Sequence, residues 1–179
     1  MNILPKINLR KNLGFTLVEL LVVIGILGIL AAALIATIDP FEQIRKTNDS
    51  DVKNTAVEYL NASTRYYATH TALPWDTSAN GGNDNCNALN TVTFSSILIS
   101  AMGACTTALI DDGELKSTIT SSTNLSKLFV SSTATGEVSV CFKPLSKSGQ
   151  KDLLAKYDSD GTTTSSCVVG SGDCYWCAR

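Results

Sequence analysis

The sequence predicts an α+β fold in which one long N-terminal helix, with its hydrophobic half protruding, packs on a small antiparallel β-sheet head. Three observations lead to this prediction. Residues 15–38 form an apolar run, residues 39–70 follow with an amphipathic pattern, and short strand-like segments between Gly, Ser and Thr turns come after them. The 179 residues suit one small domain plus an anchor.

The apolar run from Phe15 to Ile38 carries a single charge, at Glu19. About 20 apolar residues suffice to cross a bilayer, so the run predicts a transmembrane helix. A carboxylate inside hydrocarbon costs roughly 2–4 kcal/mol, and Glu19 is therefore expected to have a partner and a function. Gly25 and Gly28 interrupt the run, either as tolerated membrane-helix glycines or as points of close helix packing; both interpretations stay open.

Basic residues flank the run on its N-terminal side, at Lys6, Arg10 and Lys11. Such a flank is expected to stay on the cytoplasmic side. A cleaved secretory signal is disfavoured, because its apolar region is only about 7–15 residues long and is cut at its far end.

The segment Gly14-Phe15-Thr16-Leu17-Val18-Glu19, with the apolar residues that continue to Ala33, resembles the class III prepilin signal of type IV pilins and type II secretion pseudopilins. The resemblance implies a pilin fold and a dedicated prepilin peptidase that cuts after Gly14 and methylates the new amine of Phe15. It divides the chain into a leader (1–14), a transmembrane or filament-core helix (15–38), its amphipathic continuation (39–70) and a globular head (71–179).

The resemblance also implies a function, that of a structural subunit which self-associates into a helical filament. An assembly ATPase and a platform protein would extract subunits from the membrane. The chain would be a single-pass inner membrane protein before assembly and part of an extracellular or periplasmic filament afterwards. The alternatives are a pseudopilin of a type II secretion or DNA-uptake machine, a minor or tip pilin, and an anchored binding protein that never polymerises; protein secretion, cell adhesion and DNA binding stay open.

In this family interpretation the partner of Glu19 is the positive amine of Phe15 in a neighbouring subunit. Pairing would neutralise both charges and set the axial stagger of the filament. A pair within one chain also stays open, because four residues span about one helical turn.

A second helix start is predicted at Asp39-Pro40, with Asp39 as N-cap and Pro40 at the first helical position. The helix is expected to kink or break there. The amphipathic segment is expected to end at 68–71, before Pro74. Its apolar stripe is predicted to face the head through Phe41, Ile44, Val52, Ala56, Tyr59, Leu60, Ser63 and Tyr67.

The head is predicted to contain a loop at 79–85, a short helix from Phe94 to Met102 that ends at Gly103, and a turn at Asp111-Asp112-Gly113. Residues 128–131 and 137–142 are predicted to pair as strands around a turn that ends at Gly136. Residues 151–157 are ambiguous between helix and strand, and 168–169 and 175–176 are candidates for edge strands.

An even number of cysteines in a small exported domain predicts disulfides. The candidates are Cys86, Cys105, Cys141, Cys167, Cys174 and Cys177. A redox or zinc role for the Cys174–Cys177 motif is less favoured. A redox motif would need a helix after it. A zinc site could draw on His70 and other cysteines, but export to an oxidising space favours bridges.

Composition and motifs argue against an enzyme or a general nucleic-acid-binding surface. The chain has 16 Asp and Glu against 14 Lys and Arg, and its sole histidine, His70, lies near a predicted helix end. We expect no catalytic residues, no cofactor and no metal. Asp158 and Asp160 are weak calcium candidates, because the sixth and twelfth positions of an EF-hand loop would be Thr163 and Val169; an Asp/Gly turn is favoured there.

Overall fold

The computed structural model describes residues 14–37, 39–76, 94–133, 136–163, 167, 170 and 173–179. The chain divides into two compact units, Met1–Pro40 and Phe41–Arg179. The predicted α+β class is confirmed, and the arrangement is consistent with the pilin fold. The predicted loop at 79–85, Cys86 and the candidate strand at 168–169 lie outside the described residues.

Among the described residues, one helix lies in the first unit and three lie wholly or mostly in the second. Short 3-10 turns also occur, at Ile99–Ala101, Ser117–Ser121 and Thr123–Ser126. The helices are α1 (Leu17–Thr37), α2 (Pro40–His70), α3 (Gly103–Asp111) and α4 (Lys147–Gln150).

Four antiparallel strands form the sheet in the order β1-β2-β3-β4. They are β1 (Phe94–Leu98), β2 (Leu128–Ser132), β3 (Val138–Phe142) and β4 (Trp176–Ala178). The predicted hairpin at 128–142 is confirmed, with Val130 opposite Val140 in the β2–β3 ladder. Gly136 has φ +79° in the turn before β3, a conformation that glycine adopts without strain. The candidate edge strand at 175–176 is β4, one residue later than predicted.

Residues 94–102 correct the sequence-based prediction of a helix. Phe94–Leu98 is a strand that pairs with β2, and helix α3 starts at Gly103, where the predicted helix was to end. The apolar residues of this segment fit a helical period, but the edge of β2 supplies hydrogen-bond partners that local periodicity does not reveal. The register shifts between Phe94 and Ile97, and Ser96 there has φ +38°.

Helix α2 begins at Pro40, where a missing amide hydrogen costs nothing, and ends at His70 within the predicted range. The kink predicted at Asp39 and Pro40 stays a prediction. The buried face of α2 carries Val52, Ala56, Tyr59, Ala62, Ser63 and Tyr66. The predicted stripe is therefore right from Val52 to Ser63, with Leu60 half-buried against the core, whereas Phe41, Ile44 and Tyr67 are exposed.

The core of the second unit lies between this face of α2 and the sheet. Tyr59 is fully buried in the same cluster as Leu128, Val130 and Val140. Polar contacts tie α2 to the segments around α3: Arg65 Nε donates to Glu114 Oε2 at 2.5 Å, and Asn124 Nδ2 donates to Thr55 Oγ1 at 3.1 Å. The head is thus built along most of α2.

Disulfides close the C-terminal part of the head. Cys141 in β3 is bonded to Cys177 in β4, 36 residues later, and Cys167 is bonded to Cys174. Cys105 in α3 is also disulfide-bonded. The Cys141–Cys177 bond joins opposite residues of neighbouring strands, so it fastens the short strand β4 to the sheet.

Alkaline pH is expected to destabilise the head through Tyr59. Burial raises the pKa of Tyr59 to about 12, against an ordinary value of 10.0. Because the pKa of Tyr59 is higher in the folded than in the unfolded state, its deprotonation favours unfolding. The contribution of Tyr59 to the free energy of unfolding is complete below pH 10 and is lost as the pH rises to about 12. The loss is on the order of 2–3 kcal/mol. The free energy of unfolding in urea, measured at neutral and at alkaline pH, should decrease more for the native protein than for Tyr59→Phe. Equal decreases would contradict the assignment.

Candidate assembly site

The candidate site is the N-terminal segment from Gly14 to Glu19 together with α1. Gly14 is exposed, and a Cβ built on it would meet no atom within 4 Å. Phe15 is 81% exposed. Within the described residues a larger side chain would fit at position 14. A steric requirement for glycine there would therefore have to come from another molecule.

Thr16 and Glu19 form a capping box at the start of α1. The Thr16 amide and hydroxyl both donate to Glu19 Oε2, each at 2.8 Å, and the Glu19 amide donates to Thr16 Oγ1 at 3.2 Å. Such reciprocal bonds satisfy amide donors that a helix start leaves without partners. Sequence reasoning assigned Glu19 an intermolecular role and missed this local one, although the pattern Thr-x-x-Glu is a recognised signal for it.

The two oxygens of the Glu19 carboxylate are in different situations. Oε2 accepts both bonds from Thr16, whereas Oε1 accepts no hydrogen bond among the residues that the structure describes. A carboxylate has lone pairs on both oxygens. The capping box therefore fixes the side chain while one oxygen is left for a further donor.

The rest of α1 presents apolar side chains in every direction. Leu17–Ile35 is long and apolar enough to cross a membrane, and none of it is buried inside the protein. Its side chains include Leu20, Val23, Leu27 and Leu30, all exposed. A helix of 21 residues is roughly 31 Å long, which matches the hydrocarbon thickness of a bilayer.

Gly25 and Gly28 lie within this apolar surface. A Cβ at either position would meet no atom within 4 Å. Among the described residues, no contact within the chain requires glycine at these two positions. Their predicted role in assembly stays a prediction, which requires another helix to approach them.

The remaining candidate residues do not join this site. Asp158 Oδ1 accepts from the Ser159 amide at 2.8 Å, and Asp160 Oδ1 accepts from the Thr162 amide at 2.9 Å, so both carboxylates serve their own turn. No group of three His, Cys, Asp or Glu side chains within the described ranges could hold a metal ion. His70 stacks on Tyr66, with ring centroids 4.0 Å apart, at the C-terminal end of α2.

Replacing the Thr16 hydroxyl should loosen the start of α1. Thr16→Val keeps the shape of the side chain but removes the bonds to Oε2 and from the Glu19 amide, a loss of about 1 kcal/mol for an N-cap. Hydrogen exchange of the Glu19 amide in detergent micelles should accelerate about fivefold. Thr16→Ser, which retains a hydroxyl, should exchange like the native chain; unchanged exchange in the valine variant would show that the capping box does not form.

Comparison with known proteins adds one match. Residues 9–35 match the family model described as the prokaryotic N-terminal methylation motif, which is characteristic of type IV pilins and pseudopilins. No curated protein and no solved structure matches the chain. The match covers Gly14, the capping box and almost all of α1. It confirms the prepilin-type signal and supports a pilin-like or pseudopilin-like structural subunit, processed by a prepilin peptidase from a membrane-anchored precursor.

Proposed function

We propose that the protein is a structural subunit of a type IV pilus-like filament, assembled from the membrane through α1 after cleavage behind Gly14. The observation that carries the proposal is that the methylation motif coincides with an exposed apolar helix whose one acidic residue keeps a carboxylate oxygen available. An apolar surface of this size needs either lipid or other apolar helices around it. When the subunit leaves the lipid, the filament core surrounds this surface with other apolar helices.

Processing creates the second charge that assembly needs. Before cleavage Phe15 carries an ordinary peptide amide, which is neutral, and the basic leader with Lys6, Arg10 and Lys11 holds the N-terminus on the cytoplasmic side. Cleavage after Gly14 gives Phe15 a cationic amine. The methyl group added by the peptidase retains that positive charge.

The amine of one subunit then pairs with Glu19 of its neighbour. Oε2 stays bonded to Thr16, so the incoming ammonium group would be bound by Oε1. In an apolar surrounding such a pair is strongly favoured over two separate charges, because removing either partner leaves a buried charge uncompensated. The contact would accept a subunit only at the axial position where both charges meet.

The head would form the outer surface of the filament. An assembly ATPase and a platform protein would drive extraction from the inner membrane, and the filament would lie outside that membrane. Gly25 and Gly28 would allow close approach of neighbouring helices, since each leaves open space on the helix surface.

Shearing separates the proposed function from its alternatives. Long fibres detached from cells by shear should contain this chain as their main component by mass spectrometry. Recovery only in short, membrane-associated polymers would assign it to a secretion or DNA-uptake machine, and recovery at trace level beside another pilin would make it a minor subunit. A chain that stays monomeric in the membrane of cells whose other filament proteins assemble would contradict the proposal.

A further inference from the structure

A groove with apolar walls and basic rims lies at the end of the head where α2 begins. Its volume is about 320 Å³. The groove is lined by residues of α2, of the sheet and of the segments next to its strands, among them Val52, Phe129, Tyr175, Leu145, Lys127 and Lys143.

The loop at residues 143–147 presents an exposed leucine between two lysines. Leu145 is 53% exposed and is flanked in sequence by Lys143 and Lys147. Two acidic side chains of α2 hold this loop by its backbone. Asp49 Oδ1 accepts from the Leu145 amide at 3.0 Å, and Glu42 Oε1 accepts from the Lys147 amide at 2.6 Å. Leu145 is therefore held at the surface by the fold.

The same hydrogen bonds turn two acidic side chains of this end toward the loop. Glu42 and Asp49 direct carboxylate oxygens toward the loop amides, while Arg45 and Lys46, between them in sequence, are exposed. Lys143 Nζ lies 3.4 Å from Asp173 Oδ1, in a contact exposed enough to be weak. The exposed groups of this end are thus predominantly basic and apolar.

Two more apolar side chains lie on the first turns of α2. Phe41 is 71% exposed and Ile44 is 58% exposed. Together with the loop and the groove rim they form what we call the basal surface. Its members are Phe41, Ile44, Arg45, Lys46, Lys127, Lys143, Leu145 and Lys147.

The chain itself limits how far Phe41, the first residue of the basal surface, lies from the end of the apolar span. Phe41 follows Ile35, the last residue of the apolar span, by six positions. Six residues reach at most about 20 Å even when fully extended. Protein surfaces that combine exposed Leu, Ile or Phe with several Lys or Arg bind the interface of anionic bilayers.

We propose that the basal surface binds the anionic phospholipid headgroups of the membrane while the subunit is unassembled, with Leu145 inserted among the lipids. This inference rests on the proposed anchoring of α1. It adds a second membrane contact, made by the head, that must be broken when a subunit is extracted. Lys143 and Lys147 would bind the phosphates on either side of the inserted leucine.

A photo-crosslinking experiment on the full-length chain tests the proposal. The chain, with p-benzoylphenylalanine in place of Leu145, is reconstituted at one copy per nanodisc. The discs contain either phosphatidylcholine alone or phosphatidylcholine mixed with phosphatidylglycerol. After irradiation, lipid adducts should be abundant in the mixed discs and at least about tenfold fewer in the zwitterionic discs. The added double substitution Lys143→Gln/Lys147→Gln should reduce adducts in the mixed discs to a similar degree.

Tyr67 provides the control position. It is 47% exposed on the same helix. It lies 22 residues beyond Arg45, which is roughly 33 Å along α2. The photo-reactive residue in place of Tyr67 should give few lipid adducts in either disc. Equal labelling at both positions would indicate random collision and overturn the proposal.

Three further outcomes separate this proposal from the function on which it rests. A chain that stays in the disc but gives no lipid adduct at Leu145, or one that does not depend on phosphatidylglycerol, would overturn the basal contact and leave the anchor intact. In a separate preparation of discs that hold two chains, adducts formed only with the second copy would reassign the surface to subunit contacts. A chain that does not remain with the disc would contradict the anchoring itself.

Discussion

Replacing Glu19 by glutamine should abolish filament assembly while leaving processing and membrane insertion intact. The glutamine carbonyl oxygen still accepts the Thr16 bonds, so the helix start is retained and only the charge is lost. Leaving a buried ammonium group without its partner costs roughly 3–5 kcal/mol, which is a decrease of at least about 100-fold in the equilibrium for adding a subunit. Sheared fibre yield, normalised to membrane-inserted protein, measures the effect.

Glu58→Gln is the matched control for Glu19→Gln. Glu58 is exposed on α2 in the other unit, and its neutralisation should leave fibre yield unchanged. Native yield from Glu19→Gln would remove the proposed charge pair from the mechanism. Loss of processing in that variant would move the role of Glu19 from assembly to recognition by the peptidase.

A bulkier residue at position 14 should block conversion of the precursor. Gly14→Val is expected to accumulate at the mass of the full chain, with its 14 leader residues retained, and to form no fibres. The cause would be exclusion from the active site of the peptidase, because a Cβ at this position meets nothing within 4 Å in the chain itself. Intact-mass analysis of membrane protein distinguishes the precursor from the processed form.

Gly28→Ala is the control for processing. Its added Cβ also meets nothing within 4 Å, but the residue lies inside α1, beyond the proposed cleavage point. This variant should be cleaved like the native chain. Normal cleavage of Gly14→Val would contradict the assignment of Gly14 as the processing position.

The parts of the fold that sequence predicted are those set by long or local patterns. The apolar α1, the bounds of α2 and the β2–β3 hairpin all depend on residues close together in the chain. The helix predicted at 94–102 was wrong because the apolar spacing there fits a helix. The segment instead forms a strand that pairs with Val130 and its neighbours in β2, about 30 residues away. Phe41 and Ile44 were assigned to the buried stripe by period alone, and the period does not show where the head ends.

The candidate site shows the same division. Gly14, Phe15 and Glu19 were predicted from a motif, and the capping box of Thr16 with Glu19 could have been found from spacing. The roles of Glu42 and Asp49 could not have been. Both carboxylates bond to backbone amides 96–106 residues distant. A backbone amide has no sequence signature, so only the folded chain reveals such partners.

The mass of the N-terminal peptide from purified filaments shows whether the polymerised protein was cleaved after Gly14. We expect the polymerised protein to begin at Phe15, its amine to carry one methyl group, and Glu19 to be unmodified. A different first residue in the polymer, or a mature protein that begins at Phe15 and is recovered only as a monomer from cells with intact filaments, would contradict this expectation.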